Sequence, residues 1–434
     1  MADVAPLDPL RYDPALYPRV LAPPYDVIDA AMRREIAARH PHNVVHLDLP
    51  EGEGDARYEN ARRLFDAWRG EGVLRREGAP AFWRYAQTFD PPGGGTRLTR
   101  RGFFALVRAV PFSDGVVMPH ERTLTGPKLD RLKLSRATRA TLSPQFMLYS
   151  DPEHRLEADL DGGEALADFS TDDGVRHQLW RVSDAAAVQR IRAALGEARL
   201  LIADGHHRYE TAVGLAREID EEARAAGVES PRGEHLYTPA LLANGDDPSL
   251  VVFPTHRLIH SLPSFDFETL VTRAGQLFVV RPVTGDARAL RAELARAPRP
   301  SLCAVAKGGR AVLLTLRTDV DLSAHPVLGK RPEVLRQTAV ALLHDGVLEH
   351  LLGITPEAQA AKTNIRYLQA ARDGVDALEA DRGQVLFLMN GTPVSVVRRV
   401  AEAGEVMPQK STFFHPKVPT GLFFHTLDPR RTVP

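Results

Sequence analysis

Cysteine is nearly absent from this chain of 434 residues: Cys303 stands alone. A single thiol excludes an intrachain disulfide and any zinc or iron–sulfur centre built from several cysteines, and it fits a reducing compartment. Long apolar runs are missing too, since nothing approaches the roughly 18 consecutive apolar residues that a membrane span requires. The opening MADVAPLDPLRYDP places Asp and Pro where a secretion signal needs a basic start and an apolar stretch. These absences predict a cytoplasmic protein with no membrane partner. There is no charge excess, 55 Lys+Arg standing against 56 Asp+Glu, which argues against a nucleic-acid partner held by phosphate neutralisation. Aromatic residues make up only 7%, so the pairs Phe103-Phe104, Phe413-Phe414 and Phe423-Phe424 are assigned to core packing and not to a platform for stacking bases. Lysine is scarce, occurring only at 128, 133, 307, 330, 362, 410 and 417. Where Arg is the default cation, a retained Lys marks a place for a compact point charge, and four of the seven fall within 128–133 and 410–417. Neither G-x-x-x-x-G-K-[ST] nor G-x-G-x-x-G occurs, so a bound nucleotide would be held outside the P-loop and Rossmann modes.

What is present is a globular composition, 44% hydrophobic and 26% charged, long enough for two or three domains. The patterning predicts a mixed α/β fold. An N-terminal α/β region, 1–110, contains helical spacing at DAAMRREIAARH and DARYENARRLFDAWRG and a strand at NVVHLDLP. It closes with a hairpin, AFWRYAQTF and LTRRGFFALVRAV joined by the PPGGGT turn. A core region, 111–260, holds the densest polar motifs, interrupted at about 151–195 by an acidic elaboration expected to loop out. A C-terminal α/β region, 261–434, alternates strands and helices. PPYD near the N-terminus and PTHR at 254–257 read as turns.

The sharpest motif is LLIADGHHRYETAVGLAREI at 200–219. Strand character runs to Asp204, Gly205 permits a tight reversal, and Ala212, Leu215, Ala216 and Ile219 mark the buried face of a helix. Asp204 is then the expected N-cap. His206, His207 and Arg208 fall in the first turn, where unpaired N–H groups and the positive dipole end favour a phosphate. Upstream, HERTL is not H-E-x-x-H and cannot offer two histidines to a zinc ion. Glu121 beside His120, ahead of Lys128, Asp130 and Arg131 on a helix, is instead a candidate general base among cations. MPQKSTFFHPK offers Lys410, Ser411, Thr412 and Lys417 as further pocket residues.

The box GHHRY resembles the G-E-R-R-Y box of ParB-type nucleotide-binding domains and is closer to the D-G-H-H-R box of free serine kinases. Those kinases share the ParB/sulfiredoxin fold, and in them an upstream Pro-His-Glu segment supplies the glutamate that acts as general base. Met118-Pro119-His120-Glu121 stands in the same order here. Over its length the chain also resembles the uncharacterised DUF1015 family, through APPYDVI, NVVHLDLP, PHERT with KLDRL, ADGHHRYETA, FPTHRL and MPQKSTFFHPK. Three departures qualify the kinase resemblance. The stretch from Glu121 to Asp204 is longer than in the compact kinases. His206 replaces the cysteine that sulfiredoxins need. No helix-turn-helix follows, as it does in ParB.

The resemblance implies a ParB/serine-kinase-like core that uses ADP or ATP with Mg2+ to phosphorylate a small hydroxyl-bearing metabolite, free serine included. In that reading Glu121 is the base and Asp204 positions the hydroxyl or Mg2+. Gly205 admits the phosphates, and His206, His207 and Arg208 neutralise charge, with His120, Lys128 and Arg131 as further phosphate contacts. Two alternatives stand beside it: a nucleotide-binding switch without metabolite kinase activity, and a DNA-binding or nuclease protein. The acceptor, the metal ligands and the oligomeric state are left open.

Overall fold

The expected hairpin, Phe82–Phe89 with Leu98–Arg108, lies inside a nine-stranded sheet in the computed structural model of the chain. The structure describes every residue except Gly93, Arg122, Leu124 and Gln409, and it leaves out the side chains of Thr125 and Pro127. Parts of the PPGGGT, PHERT and MPQKST segments therefore lie outside the described residues. The strand order is Val117–Met118, Leu200–Asp204, Gln145–Tyr149, Tyr237–Asn244, Leu98–Arg108, Phe82–Phe89, Arg176–Val182 and Glu164–Ser170, with Val4–Ala5 also on Leu98–Arg108. One sheet thus carries strands from both sides of residue 110. Phe103, Ala105 and Val107 face one layer with Met147, Ile202 and Leu242. Phe104 and Leu106 face the other with Phe146, Leu148, Leu201 and Leu241, so the two-residue alternation of each strand serves a core on each side.

Three expectations need correction. The 151–195 stretch does not loop out: Glu164–Ser170 and Arg176–Val182 extend the sheet at its edge, and Ala185–Gly196 packs beneath it through Ile191 and Leu195. NVVHLDLP is not a strand but a turn and the short helix Val45–Asp48. Buried Asn43 decides this, because its Oδ1 accepts the Val45 N–H at 3.0 Å and its amide donates to Arg19 and Leu21 carbonyls at 2.8 and 3.3 Å. Side-chain bonds to nearby backbone override the β-propensity of the two valines. PTHR is no turn either; it leads into the strand His256–Ile259 with Arg257 buried.

A second, wholly antiparallel sheet of six strands spans His256 to Leu388. Beyond it the chain returns to the N-terminal segments that surround the first sheet. Met407 bridges to Glu121, Thr420 to Ala22, Phe424 to Leu10 and His425 to Thr141. Phe423 packs against Trp83 and Phe104, and Phe424 against Tyr12, which places these aromatics in the core as expected. The fold is mixed α/β.

Candidate functional site

The strand Leu200–Asp204 ends at a reversal on Gly205, whose φ of 94° and ψ of 28° lie in the left-handed region. A Cβ there would be strained and would stand 3.1 Å from the Arg208 guanidinium, so glycine is required both for the turn and for the approach. The helix His206–Ala225 starts immediately after. Asp204 is not its cap. One carboxylate oxygen takes the Lys417 ammonium and the other the Arg208 Nη2 at 2.6 Å. Two cations outcompete a backbone N–H for one carboxylate. Among the described residues no side chain caps the helix, whose positive dipole end therefore points into the turn without a side-chain oxygen at the cap position. Burial raises the Asp204 carboxyl, but Lys417 and Arg208 outweigh it and hold the group well below its ordinary 3.8.

Two of the expected charge carriers are consumed internally. Arg208 is buried, donating to Ser143 Oγ at 2.7 Å and to the Pro144 carbonyl as well as to Asp204. His206 is also buried, and its Nε2 accepts the His120 backbone N–H at 3.2 Å. Burial and the adjacent His120 depress its pKa well below 6.5, so it is a neutral imidazole and cannot neutralise charge as expected. Asp204, tied to two cations, is likewise not an open magnesium ligand.

His120 is held from three sides. Its ring Nδ1 lies 2.6 Å from the Ile202 carbonyl, its Nε2 lies 2.8 Å from Thr412 Oγ, and its edge faces His206. Burial lowers its pKa, opposed by Glu121 and by the bond to Ile202. His207 is half-buried; burial lowers it as well, against Glu210, Asp26 and Glu121.

Lys128 and Arg131 sit elsewhere. Lys128 pairs with Glu210 at 2.7 Å, and Thr123 donates to both oxygens of that same carboxylate at 3.0 Å. Glu210 thereby ties the PHERT segment to the DGHHRYETA helix. Arg131 is buried against Asp48 at 2.7 Å and against Asp130, with its guanidinium 4.1 Å over the Tyr25 ring. Ser411 is buried too, its hydroxyl donating to the Pro408 carbonyl.

The remaining residues converge on one cavity of about 120 Å³, lined by Glu121, the 203–208 turn, Lys410, Thr412, Phe414 and Lys417, with Tyr25 and Asp26 closing the wall. The cavity is smaller than the roughly 300–1,000 Å³ of a typical small-molecule site, and it opens to solvent, so a larger ligand would lie only partly inside it. Tyr25 and Asp26, in the PPYD segment read as a mere turn, are site residues that local sequence did not reveal. Arg257 is another. Buried, its pKa lowered to about 10 by burial, it donates to the Lys410 carbonyl at 3.0 Å. That bond holds Lys410 at φ 58°, a left-handed conformation costly for a side-chain-bearing residue.

The lining sets three carboxylates, Asp26, Glu121 and Asp204, against three cations, Arg208, Lys410 and Lys417. Among the described residues, Asp26 and Lys410 join no ion pair through their side chains; Glu121 lies 3.9 Å from His120 and within the electrostatic reach of His207 and the buried Arg257. Among the described residues no group of three or more His, Cys, Asp or Glu could cage a metal. Mg2+ asks for less, one or two carboxylates plus substrate phosphates, and Asp26 is such a carboxylate.

The sequence signature of the family described as "Protein of unknown function (DUF1015)" matches residues 4–341. No curated protein matches the chain. Solved structures similar to it include a conserved hypothetical protein from Pyrococcus furiosus, at 14% identity and TM-score 0.34 over 74% of this chain and 95% of that one. Free serine kinase in complex with AMP is similar at 12% and 0.34, over 77% and 94%. SbnI from Staphylococcus aureus, truncated at its C-terminus, is similar at 12% and 0.34, over 75% and 87%. No described helix is long and apolar enough to cross a membrane.

Proposed function

The chain belongs to the DUF1015 family of proteins of unknown function, and we propose that it is a nucleotide-dependent phosphotransferase acting on the hydroxyl of a small metabolite. One observation carries this reading: Glu121 and the uncapped DGHH turn line the same small cavity. A free carboxylate facing an anion site is the pairing that phosphoryl transfer needs, because that reaction depends on positioning and charge stabilisation more than on covalent chemistry. The nucleotide inserts its phosphate end, and its base and sugar stay outside the 120 Å³ space. Glu121 accepts the acceptor's proton as its oxygen attacks phosphorus. The positive end of the helix, Lys417 and Lys410 take up the charge on the transferring group. Asp26 is the carboxylate that would hold Mg2+, which when bound neutralises the polyphosphate. ADP or ATP as donor and serine as acceptor follow from the DGHHR resemblance.

The test is a panel of hydroxyl metabolites incubated with Mg2+ and ADP or ATP. Glu121→Gln should lower kcat by roughly 10²- to 10⁴-fold, the usual contribution of a general base, while nucleotide affinity stays within a few-fold. Full turnover in that variant removes Glu121 from the mechanism. Nucleotide binding with no phosphorylated metabolite, in a panel that includes serine, favours a nucleotide switch instead.

A further inference from the structure

Thr412 enters the cavity with its hydroxyl already aligned on a base. Its Oγ is 2.8 Å from His120 Nε2, and His120 Nδ1 is 2.6 Å from the Ile202 carbonyl. A carbonyl only accepts, so Nδ1 carries the ring proton, and burial keeps the ring neutral. Nε2 is then the acceptor and the Thr412 hydroxyl the donor. A hydroxyl, a neutral imidazole and a group that fixes the imidazole's tautomer form the relay that activates hydroxyl nucleophiles. Transfer to an external acceptor, with Glu121 as base, makes no use of it. The surroundings suit it nonetheless. Glu121 Oε1 lies 3.9 Å from Nε2, close enough to favour an imidazolium formed there, and Lys410 and Lys417 line the same cavity.

We infer that Thr412 is an internal phosphoryl acceptor, modified by the chain's own site. The inference rests on the phosphotransferase reading, since it needs a nucleoside triphosphate with its terminal phosphate in this cavity. Thr412 Oγ attacks that phosphorus, and the Oγ–P bond forms. The bond from phosphorus to the bridging oxygen breaks, its electron pair leaving with the nucleoside diphosphate, while the hydroxyl proton passes to His120 Nε2. The resulting phosphothreonine stands in the cavity with Lys410 and Lys417 as counter-ions, in the place an external acceptor would take beside Glu121.

The experiment incubates the full chain with Mg2+ and ATP, without metabolite, and locates phosphate by tandem mass spectrometry. The metabolite panel is run in parallel. Wild type should carry one phosphoryl group on residue 412, Thr412→Ser should retain it there, and Thr412→Val should lose it. The rate per molecule should not change on dilution. Phosphorylated metabolite with an unmodified Thr412 overturns this inference and leaves the phosphotransferase reading intact; absence of both products overturns both. Labelling at other positions that survives Thr412→Val, or a rate that falls on dilution, also overturns it. If Thr412→Val does not fold, site mapping in wild type and Thr412→Ser still decides.

Discussion

Asp204→Asn removes the one acceptor shared by Lys417 and Arg208, and its cost can be worked from the geometry. The carboxylate binds Arg208 Nη2 at 2.6 Å and the Lys417 ammonium on its other oxygen. An amide can serve one of these cations and presents its own N–H groups to the other. Removing one partner of a buried ion pair costs about 3–5 kcal/mol. Asp204 is 20% exposed and Lys417 23% exposed, so water recovers part of this; we expect about 2–4 kcal/mol. Urea unfolding at neutral pH should show the loss as a lower midpoint with an unchanged slope. The loss should also depend on pH. The folded Asp204 carboxyl titrates below its ordinary 3.8, so its contribution is present above that value and is lost as pH falls through it towards the folded value. The difference between wild type and variant should be constant from neutral pH down to about pH 5 and shrink below about pH 4. A difference under about 0.5 kcal/mol at neutral pH, the level of an ordinary surface substitution, or one that persists unchanged at about pH 3, would refute the ion-triplet argument.

Two further substitutions separate scaffold from site. Arg131→Met leaves Asp48 buried without its cation and should cost about 3–5 kcal/mol in chemical denaturation; at a temperature where the variant is folded, its KM for nucleotide should stay within a few-fold, and a large rise in KM would return Arg131 to the phosphate contacts. Lys410→Ala removes an exposed ammonium that pairs with no described residue, so the unfolding midpoint should hold; loss of one charge-assisted contact, about 1.5–3 kcal/mol, would weaken nucleotide binding roughly 10- to 150-fold by calorimetry.

The turn at Asp204-Gly205 and the helix after it were legible because their signals are local: an apolar run, a glycine, then helical spacing. Glu121 could be matched to that turn only through the order of the Pro-His-Glu and DGHHR boxes. The rest depends on contacts between residues far apart in the chain, which leave no local trace. Lys417 captures Asp204 and so releases the helix cap; a buried His120 spends the Nε2 of His206; Arg257 reaches from the second sheet to the Lys410 backbone. Tyr25 and Asp26 looked like any short Pro-bounded turn, and only the Arg131 guanidinium over the Tyr25 ring shows why that turn stands at the cavity. Asn43 misled in the opposite sense, since two valines advertised a strand that one amide side chain cancels.

The closing return of the chain makes the site a joint product of distant segments. Lys410, Thr412 and Lys417 meet Glu121 and the 203–208 turn because residues 407–425 come back to bridge Glu121, Ala22, Leu10 and Thr141. The cavity wall therefore reports on the folding of the whole chain: loosening that return would strip Asp204 of Lys417 and open it to water.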